Sequence, residues 1–320
     1  YFDDKGEIKL AKILQDVPEN WDANQDGQWN GFIPDTYFNF NQAGFDIDPQ
    51  GKPTGWVAFS YFPFLGGFMP TNGSTDDVLI RLPEVFQQNI KGEFDGGVYK
   101  LNLAIVESLI REKNMSIGAV NEAVYGVDIN KNGALDTATE VVYGWSPLNN
   151  VSMSFVGKAK QAYAKNQISA GLYPKGTEFL HSVRYINTED NKISMANRLK
   201  ELRYSVKSSW NNYAQLNRSV SSELKERHDF PNRLSQYHSP RQDGIEGGLI
   251  NGRGWKFQGF IEDKQGELRP QNYEETLFCM GCHTGVGATT DSSFSFPRKF
   301  GADSFRNGFY HWSDKGYFII

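Results

Sequence analysis

The chain has 320 residues, of which 39% are hydrophobic and 22% charged, and its formal net charge is -5. This length suffices for one large or two ordinary domains with a real core, and the composition excludes long disordered or collagen-like regions. The longest apolar run, residues 56–69, is broken by Pro63 and is too short to span a bilayer. The acidic balance argues against nucleic acid as a partner, because phosphate binding needs a basic surface.

An Asp/Asn-rich loop near the start of the chain has the spacing of a calcium-binding loop. Side-chain oxygens stand at loop positions 1, 3, 5 and 9, with Gly27 at position 6 for the sharp turn and a carbonyl at position 7. The loop resembles an EF-hand or dockerin loop, but position 12 is Ile33, so Asp35 would have to substitute. The alternative is a set of Asx turns without metal. The candidate calcium ligands are Asp22, Asn24, Asp26 and Gln28.

Residues 56–62 and 78–82 are rich in β-branched and aromatic residues, which predicts two strands. Residues 99–112 carry an apolar stripe at helical spacing and predict a helix. Residues 141–145 predict a further strand, again from β-branched and aromatic content.

The Asp/Asn-rich scheme occurs a second time, just before the strand predicted at 141–145. Gly133 is at position 6, and Glu140 stands one place beyond the position of the usual bidentate glutamate. Asx turns without metal are again the alternative. The candidate calcium ligands are Asp128, Asn130, Asn132, Ala134 through its carbonyl, Asp136 and Glu140.

Residues 171–176 contain two glycines and a proline, and predict a joint between regions 1–170 and 171–320, although one compact domain is the alternative. In the strand predicted at 177–186, alternation places His181 on one face with apolar neighbours. That position suits either a ligand in an apolar pocket or a core histidine bonded to a carbonyl. The mixture of short antiparallel strands and several helices predicts an α+β fold.

Residues 210–224 form a second apolar stripe at helical spacing, and residues 255–261 alternate as a strand that turns at 263–266. The hairpin leads into a short helix, for which Asn272 and Glu275 predict a capping box. The chain's two cysteines, Cys279 and Cys282, lie at the end of this helix.

Cys279, Cys282 and His283 form a C-x-x-C-H pattern. In this pattern two thiols can add to the vinyl groups of haem while the next imidazole reaches the iron. A thioredoxin-like pair needs no following histidine, a zinc site needs further ligands, and a disulfide leaves His283 without a role. Covalent attachment of one haem is therefore the favoured interpretation.

Residues 279–283 resemble the attachment site of c-type cytochromes. The resemblance implies haem c with thioether bonds at Cys279 and Cys282, His283 as the proximal iron ligand, and maturation outside the cytoplasm. On that basis His181 is the leading candidate for the distal side of the iron. The other histidine candidates are His228, His238 and His311.

We therefore expect an exported periplasmic or extracellular monohaem cytochrome of this α+β fold, not an all-helical small one. It would pass electrons to a redox partner protein or to other cytochromes, and an oligomer is compatible with that work. The alternative is a haem enzyme with an open distal site acting on small nitrogen oxides or peroxide. The haem motif near the C-terminus, followed by residues 291–294, resembles over about twenty residues the hydroxylamine-oxidising cytochromes and the β-rich cytochrome c-prime group.

A third interpretation is a binding protein in which the haem is structural or sensory and the 14% of aromatic residues dock a partner. The sequence has no start methionine and no signal-peptide pattern, so we expect Tyr1 to be a processed or truncated start.

Overall fold

The structure is a computed structural model, and it describes most of the chain between residues 2 and 291. The described residues are 2–22, 24–60, 75–146, 148–149, 153–162, 167–189, 192–233, 237, 245–280, 283 and 291. Within them the helices are α1 Lys12–Gln15, α2 Gly96–Arg111, α3 Glu122–Tyr125, α4 Ala159–Ala162, α5 Tyr213–Asp229 and α6 Tyr273–Met280. The strands are β1 Phe45–Ile47, β2 Pro53–Ser60, β3 Thr75–Arg81, β4 Met115–Asn121, β5 Thr137–Val141, β6 Glu178–Glu189, β7 Lys192–Lys207, β8 Leu249–Ile250, β9 Trp255–Glu262 and β10 Leu268–Pro270.

Eight of these strands form one antiparallel sheet in the order β1-β2-β3-β6-β7-β9-β10, and β8 also pairs with β9. The pair β4-β5 forms a separate ribbon. The two edges of the sheet are short, because β1 has three residues and the far edge of β9 is shared by β8 and β10. The sheet takes strands from both sides of residue 170, so regions 1–170 and 171–320 share it, and their division as domains stays a prediction.

Both faces of the sheet are covered, and neighbouring residues on each central strand point into different cores. Val57, Ile80, Phe179 and Phe257 belong to the core that includes α2. The residues next to or near them on the same strands, Trp56, Leu79, Leu180 and Phe260, belong to the second core, which includes α1 and the N-terminal segment. Because side chains alternate across a strand, a sheet covered on both sides must be apolar at successive positions.

Helix α2 is the main cover of the first core. Asp95 caps its start, since the carboxylate accepts hydrogen bonds from the N–H groups of Gly97 and Val98 at 2.8 and 3.0 Å. The helix ends at Arg111, and the next residue, Glu112, has a left-handed φ of 52°. Within the buried stretch, the Asn102 side chain donates to the carbonyls of Phe86 and Val156. These contacts hold the helix in one register over the sheet.

The sequence predicted the fold class correctly: the molecule is α+β and is not all-helical. The strands predicted at 56–62 and 78–82 correspond to β2 and β3, and the helices predicted at 99–112 and 210–224 correspond to α2 and α5. The strand predicted at 141–145 is wrong, because the strand here is β5, which ends at Val141. Trp145 instead leaves the ribbon and its indole donates to the carbonyl of Ile168 at 3.0 Å.

The Tyr99 hydroxyl joins α2 to the sheet from a fully buried position, and its loss should be costly. It donates to the carbonyl of Gly55 at 2.7 Å and accepts from the N–H of Leu82 at 3.1 Å. Tyr99→Phe leaves both backbone groups without that partner, so we expect a loss of about 2–3 kcal/mol in the free energy of unfolding, measured in urea. The exposed Tyr273 provides the control, since Tyr273→Phe should cost less than about 0.5 kcal/mol. Equal losses in the two variants would contradict this role.

Candidate functional site

Helix α6 places the first residues of the C-x-x-C-H pattern against the sheet. The predicted capping box is present: the Asn272 side chain accepts from the N–H of Glu275 at 2.8 Å, and Glu275 accepts from the N–H of Asn272 at 2.9 Å. Arg269 also forms an ion pair with Glu275 at 2.9 Å, and that contact lowers the pKa of Glu275. The start of the helix is therefore fixed from the end of β10.

Cys279 and His283 lie on one side of the chain at the end of α6. The N–H of His283 donates to the carbonyl of Cys279 at 3.0 Å. Cys279 is partly buried against the first core, and the His283 ring lies 4.6 Å from the ring of Phe257 on β9. The Asn251 side chain donates to the carbonyl of His283 at 2.8 Å. Cys282 lies outside the described residues.

His181 is on β6, opposite Val78 on β3 and Arg203 on β7. It shares a sheet face with Phe257, because the register aligns Phe179, two residues away, with Ser205 and then with Phe257. Strand β7 separates His181 from the strand that His283 contacts. The structure therefore puts the two histidines on the same side of the sheet, with His181 on β6 and His283 against β9.

The remaining histidine candidates are away from this face or outside the structure. His228 lies in the last turn of α5 with an exposed side chain, and its Nδ1 is 3.2 Å from a carboxylate oxygen of Asp229. His238 and His311 lie outside the described residues.

The structure also contains a buried ion pair that the sequence did not predict. Lys207, the last residue of β7, pairs with Asp291, and both side chains are fully buried. Asp291 also accepts from the N–H of Tyr173 at 3.0 Å, and the Lys207 ammonium lies 5.8 Å from the ring centroid of Trp255. Asp291 thus ties the segment after α6 to two distant parts of the chain.

Burial opposes the charge on both members of this pair. Desolvation lowers the pKa of Lys207, and the attraction of Asp291 acts against that shift. Desolvation likewise raises the pKa of Asp291, against the attraction of Lys207. Each charge is tolerated in the interior because the other is present.

The loop at 128–136 has the hydrogen-bond pattern of an EF-hand-type turn. Asp128 accepts from the N–H groups of Asn132 and Gly133 at 3.1 and 2.9 Å, and Asn132 accepts from the N–H of Ala134 at 2.8 Å. Gly133 has a φ of 87°, the left-handed conformation expected at position 6. The Asn132 amide donates to both carboxylate oxygens of Asp136.

A buried glutamate outside the predicted pattern supports this loop. Glu122 accepts from the N–H groups of Ile129 and Asn130 through one oxygen, and from the N–H of Asp136 at 3.1 Å through the other. Glu140 instead accepts from the Asn114 side chain at 3.1 Å, and none of its described hydrogen bonds reaches the loop. Glu122 was missed because it precedes the loop and so falls outside the spacing rule.

The loop at 22–30 has a similar turn. Asp22 accepts from the N–H of Gly27 at 2.6 Å, and Asp26 accepts from the N–H of Gln28 at 2.8 Å. Gly27 has a φ of 73° at position 6. The Asn24 side chain donates to Asp26 at 2.8 Å. Four candidate ligands predicted from the sequence therefore lie in one turn.

Among the described residues, no group of three or more His, Cys, Asp or Glu side chains is arranged to hold a metal ion. The two loops draw on a wider set of ligands, because calcium also takes amide and backbone carbonyl oxygens. No helix in the described part of the chain has the length and apolarity needed to cross a membrane.

Comparison with known proteins assigns a family. A sequence profile described as "-like lipoprotein" matches residues 13–318. The chain belongs to this lipoprotein family. It is 35% identical over 263 residues to an uncharacterized lipoprotein of Aquifex aeolicus, a match that covers 82% of this chain and 39% of the relative. The chain thus spans about two fifths of the length of that relative. No solved structure matches the chain.

The family assignment corrects the function expected from residues 279–283. The identification as a c-type cytochrome is wrong, because it depended on five residues, whereas the lipoprotein match covers residues 13–318. The two functions predicted from that identification, electron transfer and a haem enzyme acting on nitrogen oxides or peroxide, are therefore wrong as well. The redox partner was expected only because of these functions, and no other observation supports it. A short pattern reports local chemistry alone, which different families can share.

Other expectations are not decided by these findings. Haem attachment at Cys279, Cys282 and His283, the place of His181 beside it, and calcium in the two loops stay predictions. Membership in a lipoprotein family agrees with the expected export of the chain.

A double-mutant cycle should reveal the dependence between Lys207 and Asp291. Lys207→Met or Asp291→Leu leaves the other group buried without its charged partner, so each should cost about 3–5 kcal/mol in the free energy of unfolding. The double variant Lys207→Met/Asp291→Leu should cost clearly less than the sum, as measured by denaturant unfolding. Additive losses, or single losses below about 1 kcal/mol, would refute the coupling.

Proposed function

We propose that the protein is an exported lipoprotein, held at a membrane surface by its lipid, whose folded domain binds calcium in the loop at 128–136. The family match supports export and the lipid, and the loop geometry supports the ion. The single observation that carries calcium is the convergence of loop side chains in EF-hand order. The candidate ligands are Asp128, Asn130, Asn132, the carbonyl of Ala134, and Asp136.

Calcium at this loop would stabilise the cover of the first core. The loop joins α3 to β5, and residues of that core lie on both sides of it: Val127 precedes it, and Ala138 and Val141 follow it. Ile129, the second residue of the loop, also belongs to that core. Without an ion the Asp128 and Asp136 carboxylates depend on amide hydrogen bonds alone. An ion neutralises both carboxylates at once and fixes the turn between the buried flanks.

The loop should bind calcium weakly. Two carboxylates and several neutral oxygens give a low ligand charge, which is typical of extracellular modules with dissociation constants of about 10⁻⁴–10⁻³ M. An exported protein meets calcium at concentrations that fill such sites. Magnesium should be a poor substitute, because it requires near-octahedral geometry and gives up its water reluctantly.

Calcium should raise the thermal stability of the protein. At roughly tenfold excess over the dissociation constant, a ligand specific for the folded state adds about 1.4 kcal/mol. We expect a rise of about 2 °C in melting temperature by calorimetry, reversed by a chelator. Asp128→Asn combined with Asp136→Asn should remove most of the rise.

Asp48→Asn is the matched control for that experiment. Asp48 caps an exposed turn by accepting from the N–H groups of Gln50 and Lys52, so its substitution makes the same chemical change away from the loop. This variant should retain the full calcium response. A response unchanged by the Asp128 and Asp136 substitutions would contradict calcium binding at 128–136.

The full-length protein should fractionate with membranes. A lipid anchor inserts acyl chains into the bilayer, so detergent should release the protein while high salt should not, because salt disrupts electrostatic contacts alone. Immunoblotting of the fractions measures this. Recovery of the full-length protein in the salt wash would contradict the anchor.

A further inference from the structure

The loop at 22–30 lacks an acidic residue at position 12, which is Ile33. The substitute suggested by the sequence, Asp35, is engaged elsewhere. Its carboxylate forms an ion pair with Arg81 at 2.5 Å and accepts from the Trp56 indole at 2.7 Å. An acidic group that takes the place of position 12 must therefore come from another part of the chain.

Glu246 reaches this loop from a distant segment. It lies just before β8 and is 2% exposed, and its carboxylate accepts from the N–H of Asn30 at 2.9 Å. Asn30 is position 9 of the loop, 216 residues before Glu246 in the sequence. A buried carboxylate is therefore within hydrogen-bond distance of position 9 of the loop.

Asp22 supplies a second, independent observation. Its side chain is 7% exposed, and one carboxylate oxygen accepts from the N–H of Gly27 inside the loop. The other oxygen, Oδ1, is buried without a hydrogen-bond partner among the described residues. A buried carboxylate oxygen without a donor is costly, and a bound cation is the simplest group that removes this cost.

Comparison with the loop at 128–136 shows which feature is found in the loop at 22–30 alone. There too a buried glutamate, Glu122, accepts from the N–H of position 9, which is Asp136. In that loop, however, both oxygens of Asp128 accept backbone N–H groups, as do both oxygens of Glu122. In both loops a buried glutamate accepts from the N–H of position 9, but the buried carboxylate oxygen without a partner is that of Asp22.

We propose that the loop at 22–30 is a second calcium site and that Glu246 supplies the acidic group that position 12 lacks. Asp22 provides the buried carboxylate oxygen, while the loop carbonyls and side-chain amides provide further oxygens of the kind that calcium prefers. This site goes beyond the one proposed at 128–136 and does not depend on it. Calcium here also joins the N-terminal segment to the segment before β8.

Terbium luminescence offers a direct probe of this loop. Terbium replaces calcium at oxygen sites and emits when a nearby indole transfers energy to it, and Trp29 occupies position 8 of this loop. We expect emission on excitation of tryptophan, displaced by added calcium. Asp22→Asn should abolish this displaceable emission and lower the calcium stoichiometry by one ion per chain in equilibrium dialysis.

Two further variants separate this site from the other loop. Glu246→Gln keeps an oxygen for the Asn30 N–H but removes the charge, and it should weaken calcium binding at this loop by about tenfold. Asp128→Asn should leave the emission of this loop intact. Loss of the emission in Asp128→Asn, with no change in Asp22→Asn, would overturn the proposal while leaving the site at 128–136 standing.

Glu93→Gln is the matched control for Glu246→Gln. Glu93 is exposed and accepts from the Asn89 side chain at 3.1 Å, so this change removes one negative charge away from the loop. It should leave terbium and calcium binding unchanged. Circular dichroism with a chelator present checks that every variant is folded, and equal calcium affinity in Glu246→Gln and Glu93→Gln would overturn the role of Glu246.

Discussion

A sheet covered on both faces leaves no room for an unpaired charge, and this constraint organises the rest of the structure. Each face holds a buried or largely buried cation. Arg81 points into the N-terminal layer, stacks 4.2 Å from the Trp56 ring, and pairs with Asp35 and Glu178. Lys207, on the face covered by α2, pairs with Asp291. Each charge therefore requires a partner from another segment, and these partners tie loops and termini to the sheet.

The same requirement explains the glutamates at the two Asp/Asn-rich loops. Glu122 and Glu246 are almost fully buried, and each accepts from the N–H group at position 9 of its loop. A carboxylate in such a place must be satisfied by backbone donors or by a cation. In the loop at 128–136, backbone N–H groups satisfy both carboxylate oxygens of Glu122 and of Asp128. In the loop at 22–30, the buried Oδ1 of Asp22 has no hydrogen-bond partner among the described residues, and this difference distinguishes the two loops.

Local patterns in the sequence were enough for most of the secondary structure. The helical stripe of α2, the alternation of β9 and the capping box of α6 are all determined by residues within a few positions of one another. The strand predicted at 141–145 failed because aromatic residues favour strands wherever they can pack, and Trp145 packs outside the ribbon. The fold class followed from these local signals.

The candidate sites were harder, because their decisive contacts join residues far apart in sequence. Spacing identified Asp22 and Asp128 as first positions of loops, yet no spacing rule relates Asn30 to Glu246 or Lys207 to Asp291. The C-x-x-C-H pattern had the opposite weakness. It is complete within five residues, so it says nothing about the other parts of the chain, and the relationship spanning residues 13–318 assigned a different family.

The short strands at the two borders of the sheet affect how copies of the protein interact when they lie close together. One border is the three-residue β1, and the other is divided between the two-residue β8 and the three-residue β10, which ends at Pro270, a residue with no N–H to donate. Among the described residues, the strands at these two borders are too short to offer a neighbouring copy a long row of free backbone groups. Short border strands of this kind disfavour the edge-to-edge pairing through which the sheets of neighbouring copies aggregate.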